Sequence, residues 1–209
     1  MIPLLNPLLF PPLLLLTLSI QDPTEACSCF PTHPQQQICS SNIVIRANIK
    51  SEKVVEDSSS SLKMIRYEIK QIKIFKGFEK MKDVQYVFTE LTSAKCGIKL
   101  NISDKKNSQY LLSGEISHDG RVFIYLCNFI KPWNKLTRSQ KINLRKKYEM
   151  GCDCKITACI EKGCYSTVAS QECLWTDWLL ESTVYGYQAN NSACLKYRDG
   201  VCKWHNNLP

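Results

Sequence analysis

Twelve cysteines constrain the fold of this chain more than any other feature, because all of them lie after residue 26. The first two belong to the triplet Cys27-Ser28-Cys29. An even number of cysteines placed in this way is typical of a secreted chain in which every cysteine is paired in a disulfide. Twelve cysteines allow about ten thousand pairings, so their spacing alone does not give the connectivity.

The residues before the triplet are typical of a signal peptide. Residues 13–20 form an apolar core too short to span a bilayer, and the segment ends in the small-residue cleavage site Thr24-Glu25-Ala26. A buried N-terminal helix is the alternative, which is disfavoured by Pro3, Pro7, Pro11 and Pro12. We therefore expect residues 1–26 to be removed. The mature chain, 27–209, is expected to be secreted to the extracellular space or matrix, with no membrane span.

Cleavage after Ala26 would place a free α-amino group and a carbonyl oxygen on Cys27, where together they can chelate a metal. A structural zinc site of the chain's own is the alternative to disulfides. Cys-x-Cys occurs at 27/29 and 152/154, but no Cys-x2-Cys pairs recur at zinc-finger spacing and the three histidines are scattered. We expect no metal or cofactor belonging to this chain.

The chain is basic, which bears on its partners. Its formal net charge is +8, and removal of residues 1–26 takes away Asp22 and Glu25 and no basic residue, which gives +10. A secreted protein of this charge is expected to adhere to anionic matrix polysaccharide such as heparan sulfate. No aromatic-basic RNA motif or recognition-helix pattern is present, so nucleic acid is not expected as a partner.

Cysteine density divides the mature chain near residue 152. Residues 27–151 hold five cysteines and residues 152–209 hold seven. A short segment that cannot build much core depends on covalent cross-links, whereas the longer first segment can form a core of its own. We predict an N-terminal domain over residues 27–152 and a small disulfide-rich C-terminal subdomain over residues 153–209.

The first segment is predicted to be mainly β. Ile65, Tyr67 and Ile69 share one face of a strand, and the parity then shifts at Ile72 and Ile74, as a β-bulge in a coiled strand would produce. Residues 118–120 predict a tight hairpin, and the polar stretch 51–61 an exposed mobile loop. Six runs at this spacing predict a closed Greek-key barrel, and they cover residues 43–49, 64–75, 84–89, 98–102, 110–116 and 122–127.

Two helices are predicted, and the expected fold class is mainly β with two or three helices. Residues 34–39 begin with a proline at the first turn. Thr137 and Gln140 form a capping box for a helix whose buried face holds Leu136, Leu144 and Tyr148. The opposite face is a basic stripe, which we interpret as a solvated helix face, with a dedicated heparin site as the alternative. The stripe contains Lys135, Arg138, Lys141 and Arg145.

The sequence lacks the motifs of a hydrolase. Gly-x-Ser-x-Gly, His-Glu-x-x-His, a phosphate-binding glycine-rich loop and the thioredoxin-type Cys-x-x-Cys are all absent. Cys29 and His33 are spaced for a nucleophile pair, but the even cysteine count argues against a free thiolate. We predict no catalytic residues and expect the protein to act by binding.

Several motifs resemble the family of tissue inhibitors of metalloproteinases. Residues 27–36 (CSCFPTHPQQ), Cys39 and residues 44–47 (VIRA) are similar to the opening of its members. Every cysteine has a counterpart in the family, so the resemblance covers the whole mature chain. Two stretches, 76–86 and 178–188, resemble one of the vertebrate paralogues most closely. Further matching segments are 67–73 (YEIKQIK), 75–77 (FKG), 132–133 (PW), 151–157 (GCDCKIT) and 172–178 (ECLWTDW).

The resemblance implies an oligonucleotide/oligosaccharide-binding-type (OB-like, netrin-like) barrel followed by the small subdomain. It also implies inhibition of matrix metalloproteinases, most simply by a monomer in 1:1 complexes. The Cys27 α-amine and carbonyl would chelate the zinc of the protease. The protease-contacting ridge would be Ser28, Cys29, Phe30 and Pro31 together with Ser93, Ala94, Lys95 and Cys96. The implied disulfides are Cys27–Cys96, Cys29–Cys127, Cys39–Cys152, Cys154–Cys202, Cys159–Cys164 and Cys173–Cys194.

A different class of function stays open beside this one, namely a netrin-like matrix or signalling module that binds anionic polysaccharide and inhibits no protease. The chain also departs from the family pattern. Phe30 occupies a usually small position, Lys95 a commonly apolar one and Asn48 a position where lysine is familiar. The acidic tail that the resemblance links to progelatinase binding does not follow Trp204. Asn101 and Asn190 begin N-glycosylation sequons.

Overall fold

The structure is a computed structural model that describes residues 27–57, 62–102, 108–167 and 169–206. The predicted signal peptide and residues 58–61 of the predicted loop lie outside the described residues. The helices in the described part are α1 (Pro34–Ser40), α2 (Arg138–Asn143), α3 (Lys147–Met150), α4 (Asp177–Glu181) and α5 (Tyr187–Asn191). The strands are β1 (Ile43–Glu56), β2 (Lys63–Lys76), β3 (Tyr86–Glu90), β4 (Gln109–Ile116), β5 (Val122–Phe123), β6 (Lys131–Pro132), β7 (Lys155–Ala158), β8 (Glu172–Trp175), β9 (Ser192–Lys196) and β10 (Cys202–Asn206).

Five strands close into a barrel, as the sequence predicts. The sheet order is β1-β2-β3-β5-β4-β6, and β4 also pairs with β1, so the first five strands form a ring. Alternate residues of each strand point inward because side chains alternate between the two faces of a strand. The barrel interior contains Ile43, Ile45, Ala47, Ile49, Ile65, Tyr67, Ile69, Val87, Leu112 and Ile124.

The long hairpin of β1 and β2 confirms one prediction and corrects another. Register shifts between Val44/Ile45 and Arg46/Ala47 leave Phe75 and Ile72 of β2 without partners, which is the bulging predicted from the parity shift. Residues 51–56, predicted as part of an exposed loop, belong instead to β1. Cross-strand pairing with residues 63–68 of β2 stabilises this polar stretch as strand.

The predicted strand over residues 98–102 is wrong. Three of its backbone amides bond to side-chain hydroxyls and not to a neighbouring strand. The Ile98 amide donates to Thr89 Oγ1 at 3.1 Å, the Leu100 amide to Tyr67 Oη at 3.0 Å and the Asn101 amide to Tyr110 Oη at 3.2 Å. The predicted run 122–127 shortens to the two residues of β5, and β6 was not predicted. The hairpin at 118–120 is confirmed, since Gly120 has φ +80° and β4 pairs with β5 across it.

The helix predicted through Tyr148 is interrupted. The residues that the structure describes form five α-helices, where two or three helices were expected. The capping box of Thr137 and Gln140 is present, but α2 ends at Asn143 and α3 begins at Lys147. Leu136, Leu144 and Tyr148 are buried together nonetheless, in a second core between the barrel and the helices. That core also contains Ile38, Val44, Leu111, Phe129 and Ala193.

The C-terminal part consists of two small sheets around a core rich in disulfides. Parallel β7 and β8 form one sheet and antiparallel β9 and β10 the other. The core holds Ile156, Trp175 and Ala189 together with four cysteines. The division into domains at residues 152/153 stays a prediction. No helix within the described ranges is long and apolar enough to cross a membrane.

Candidate functional site

All twelve cysteines are paired in the structure. The six pairs are the ones named above on the family resemblance. The sulfur atoms of Cys27, Cys96 and Cys127 lie within 4.8 Å of one another, but each belongs to a disulfide and is not a thiolate ligand. The chemistry left to Cys27 is therefore that of its backbone nitrogen and carbonyl oxygen.

The N-terminal ridge, residues 27–31, is an exposed segment held at two points. Cys27 is half-buried, whereas residues 28–31 are exposed and Phe30 has 80% of its surface accessible. The Cα atoms lie 5.1 Å apart in Cys27–Cys96 and 5.3 Å apart in Cys29–Cys127. The Thr32 hydroxyl donates to the Phe30 carbonyl at 2.9 Å, just before α1 begins. The ridge is thus tied to two separate loops of the barrel domain.

The second ridge segment, residues 93–96, is a tight exposed turn. Ser93–Lys95 form a single 3₁₀ turn, and Cys96 follows with φ +61°. The Cys96 carbonyl accepts from the Leu126 amide at 2.8 Å, which links this turn to the turn that contains Cys127. Gly97 packs so closely that an added Cβ would lie 2.1 Å from the Glu90 carbonyl oxygen. The Cys27–Cys96 disulfide joins the two predicted ridge segments, residues 27–31 and 93–96.

A cleft of about 560 Å³ borders the N-terminal ridge, and the sequence did not predict it. Residues 29–32 form one side, residues 126–131 another, and Val184, Tyr185 and Asn190 contribute from the C-terminal part. The Lys131 ammonium lies 5.6 Å from the centre of the Tyr185 ring, and burial lowers the pKa of Lys131. The Cys29–Cys127 pairing implied by the family resemblance was the one expectation that pointed to this region.

A buried polar network holds α1, which follows the end of the N-terminal ridge, against Gly151 and the C-terminal part. Gln35 is 1% exposed, and its amide donates to the carbonyls of Gly151 at 2.9 Å and Cys194 at 2.8 Å. Its carbonyl oxygen accepts from the Cys194 amide at 2.8 Å. All the polar atoms of this side chain are therefore engaged with the backbone of Gly151, just before the C-terminal part, and of Cys194 within it.

His33 caps α1 and is fully buried beside Gln35. The Nδ1 atom of His33 accepts a hydrogen bond from the backbone N–H of Gln35 at 3.2 Å. The proton of the imidazole is therefore on Nε2, which donates to the backbone carbonyl of Gln188 at 3.3 Å. The imidazole lies against the rings of Trp175 at 5.6 Å and Trp204 at 5.2 Å. Burial lowers the pKa of His33 to about 4, against smaller raising effects of Gln188 and Asp177.

This depressed pKa predicts a dependence of stability on pH. Below pH ~6.5 the unfolded chain takes up a proton at His33 that the folded chain does not, so the free energy of unfolding falls as the pH falls. The loss begins near pH 6.5, levels off near pH 4, and amounts to about 3 kcal/mol, since one pKa unit is worth about 1.4 kcal/mol. Urea unfolding at pH values from 7 to 4.5 measures it.

A matched pair of variants assigns this dependence to His33. His33→Asn keeps a capping acceptor but does not titrate, so its unfolding free energy is expected to change less between pH 7 and 4.5 than that of the unmodified protein. His118→Asn removes an exposed histidine and is expected to leave the pH profile unchanged. Parallel profiles for the unmodified protein and His33→Asn would contradict the role of His33.

The chain is similar over most of its length to proteins of a known family. A family model described as "Tissue inhibitor of metalloproteinase" matches residues 25–204. Metalloproteinase inhibitor 4 of Rattus norvegicus is 55% identical over 184 residues, which cover 87% of this chain and 81% of the relative, and that of Mus musculus is 54% identical with the same coverage. Metalloproteinase inhibitor 2 of Homo sapiens is 45% identical over 196 residues, covering 92% of this chain and 87% of the relative. The matched segment contains both ridge segments.

Proposed function

The chain belongs to the tissue inhibitor of metalloproteinases family, and on that premise we propose that it is a secreted inhibitor of matrix metalloproteinases that uses its own N-terminus. Its relatives are named as inhibitors and not as enzymes. The observation that carries the proposal is the position of Cys27, first in an exposed ridge with its sulfur locked in a disulfide. Only its backbone groups are left to bind a metal, and we propose that this metal is the catalytic zinc of the protease.

The chelation follows from the chemistry of a catalytic zinc, which keeps one coordination position for water or a substrate carbonyl. After cleavage at Ala26, the Cys27 α-amine and carbonyl oxygen displace that water and bind the zinc in a five-membered ring. A free α-amino group has a pKa of about 8, so its neutral form is reached at little cost near neutral pH.

Rigidity makes the ridge an inhibitor in place of a substrate. The disulfides of Cys27 and Cys29 remove much of the ordering entropy that a free peptide loses on binding. Ser28 enters the primed specificity pocket of the protease, Cys29, Phe30 and Pro31 continue along the primed side, and residues 93–96 contact the unprimed side. No scissile peptide lies across the zinc, so the 1:1 complex with the monomeric inhibitor does not turn over.

Two ridge residues are proposed to set the choice of protease. Phe30 is bulky and 80% exposed, and Lys95 carries a positive charge on an exposed turn. A bulky ring needs a wide cleft, and an ammonium group favours an acidic one. We propose that these side chains direct the inhibitor toward proteases with wide or acidic clefts. The inhibitory groups all belong to the proposed domain 27–152.

The test of the proposal is N-terminal sequencing of the secreted protein, followed by titration against an active matrix metalloproteinase. We expect the mature chain to begin at Cys27 and activity to fall linearly to zero at one equivalent of inhibitor. A mature start upstream of Cys27 would rule out chelation by its amine.

A second candidate function is binding to anionic polysaccharide such as heparan sulfate, without inhibition. The observation that favours it is the formal charge of +10 after residue 26, whereas the ion pairs among the described residues involve the basic residues Arg121, Lys155 and Lys203. This function needs no free Cys27 amine, so the extended N-terminus described in the Discussion separates it from inhibition.

The two glycosylation sequons of the proposed secreted chain have different surroundings. Asn101 is exposed. The Asn190 amide donates to the Tyr185 carbonyl at 2.6 Å, and the sequon's Ser192 is fully buried. We therefore predict a glycan on Asn101 and none on Asn190. Mass spectrometry should show the glycan mass lost in Asn101→Gln and kept in Asn190→Gln, and the reverse pattern would contradict the prediction.

A further inference from the structure

The cleft beside the N-terminal ridge is a concave site with a single charge. It has a volume of about 560 Å³ and lies between the ridge, residues 126–131 and the C-terminal part, and it is called the ridge cleft below. Among the described residues that line it, Lys131 is the only one that carries a charge. Small-molecule sites are typically concave, have volumes of roughly 300–1,000 Å³ and place a few polar groups in apolar surroundings. The ridge cleft has this form.

Three separate parts of the chain contribute apolar walls to the ridge cleft. Phe30 of the ridge, Leu126 of the barrel domain and Tyr185 of the C-terminal part line it, and all three are exposed. Ile130, which packs against the barrel core, and Val184 add further apolar surface. An apolar molecule in the cleft would remove this surface from water, which favours its binding.

A disulfide and hydrogen bonds to the backbone hold these walls in position. The Cys29–Cys127 disulfide joins the ridge to residues 126–131. The Gln37 amide donates to the Cys127 carbonyl at 3.1 Å, and the Asn190 amide donates to the Tyr185 carbonyl at 2.6 Å. The cleft is therefore preformed, and a ligand would lose little free energy in ordering it.

Lys131 is a partly buried cation without an acidic partner in the part of the chain that the structure describes. It belongs to β6, and its pairing with Leu111 of β4 fixes its backbone. Its ammonium lies 5.6 Å from the centre of the Tyr185 ring, and none of the ion pairs of the described residues includes it. Burial lowers the pKa of Lys131, and no acid among these residues counteracts that effect. Because a charge that has lost water and has no counter-ion is costly, a ligand that brings a negative charge to this point is favoured.

We propose that the ridge cleft binds an amphipathic monoanion, that is, a molecule with one carboxylate on an apolar chain, such as a fatty acid. The carboxylate pairs with the Lys131 ammonium, and the chain covers the apolar walls at Phe30, Leu126 and Val184. A polyanion such as a polysaccharide or a nucleic acid needs a row of cations, and this cleft offers one. The side chain of an aspartate or glutamate of a bound protein is the alternative partner of Lys131, but its one or two CH₂ groups would cover less of the walls.

The ligand would be coupled to the protease, because Phe30 and Pro31 belong both to the ridge cleft and to the N-terminal ridge. This step rests on the proposed function, in which the same two residues contact the primed side of the protease. Ligand and protease are therefore expected to weaken each other's binding, by the same factor in both directions. Binding of the ligand to the free protein does not depend on this coupling, so it stays measurable even if the protein inhibits no protease.

The test uses decanoate as the probe, with binding measured by calorimetry at neutral pH below the concentration at which decanoate aggregates. Each CH₂ group that enters the cleft should strengthen binding about fourfold, so octanoate is expected to bind about 15-fold more weakly than decanoate. Decanol has the same chain without the charge and should bind about tenfold or more weakly than decanoate. In NMR spectra, the methyl signals of Leu126, Ile130 and Val184 should shift as decanoate is added.

Two variants that lose the same charge show whether Lys131 is responsible. Lys131→Met removes the ammonium and keeps an apolar side chain, so it should bind decanoate about tenfold or more weakly and decanol as the unmodified protein does. Unchanged binding of decanol also shows that the cleft is intact in this variant. Lys135→Met removes an exposed lysine that does not line the cleft and should leave both affinities unchanged.

Several outcomes would overturn the proposal. No saturable binding at millimolar decanoate would exclude the site, and methyl shifts confined to other parts of the chain would place the ligand elsewhere. Equal affinities for decanoate and decanol, or equal losses in the two variants, would mean that Lys131 does not bind the carboxylate. Weaker protease inhibition by Lys131→Met without any binding of decanoate would assign this lysine to an acidic side chain of the protease instead.

Discussion

An alanine left in front of Cys27 is expected to abolish inhibition while leaving the fold intact. The extra peptide bond converts the α-amine into an amide, which does not bind zinc, and places an additional residue where the metal must lie. Loss of the chelate should weaken inhibition at least about 1000-fold, since coordination to a catalytic metal contributes several kcal/mol and each tenfold step corresponds to about 1.4 kcal/mol. Titration of one active matrix metalloproteinase with both forms measures the effect.

The control for this experiment is a set of properties of the extended protein that do not depend on a free α-amine. The extended protein should keep all six disulfides, its unfolding midpoint and its affinity for heparin, because none of these requires a free amine. Acetylation of the mature terminus is a milder form of the same change and should have the same direction. Unchanged potency in the correctly oxidised, alanine-extended protein would refute chelation by Cys27, whatever the family relationship.

The parts of the fold that could be predicted are those that local patterns encode. Alternation along residues 64–70 and the parity shift after it are backbone features that neighbouring residues determine, and both are present in β2. The capping box of Thr137 and Gln140 likewise depends on four consecutive positions. The ridge residues came from the family resemblance, because no local pattern brings residues 27–31 beside residues 93–96.

The errors arose where tertiary contacts override local preference. Residues 98–102 have the composition of a strand, but the hydroxyls of Tyr67 and Tyr110 bond to their backbone amides. Residues 51–56 are polar, yet pairing with β2 makes them strand. The cleft beside the ridge was missed for a related reason. It combines side chains from elements far apart in sequence, so it has no signature in any single segment.

Replacement of Gln35 by alanine is expected to destabilise the protein more than any other single polar substitution proposed for it. The change removes three hydrogen bonds and leaves the carbonyls of Gly151 and Cys194 and the amide of Cys194 buried without this partner. An unsatisfied buried group costs about 1–3 kcal/mol, so the free energy of unfolding should fall by about 3–5 kcal/mol. Urea unfolding at pH 7 measures it.

Gln36→Ala is the matched control, because Gln36 is the next residue of the same helix and is only partly buried, with no side-chain hydrogen bond among those described. Its expected cost is below about 0.5 kcal/mol, as for most surface positions. Equal effects of the two substitutions would show that helix propensity and not the contact with the C-terminal part decides the stability of α1. A large effect of Gln35→Ala alone would mean that residues 151 and 194 hold the helix that directly follows the ridge, so the C-terminal part contributes to the rigidity on which the proposed inhibition depends.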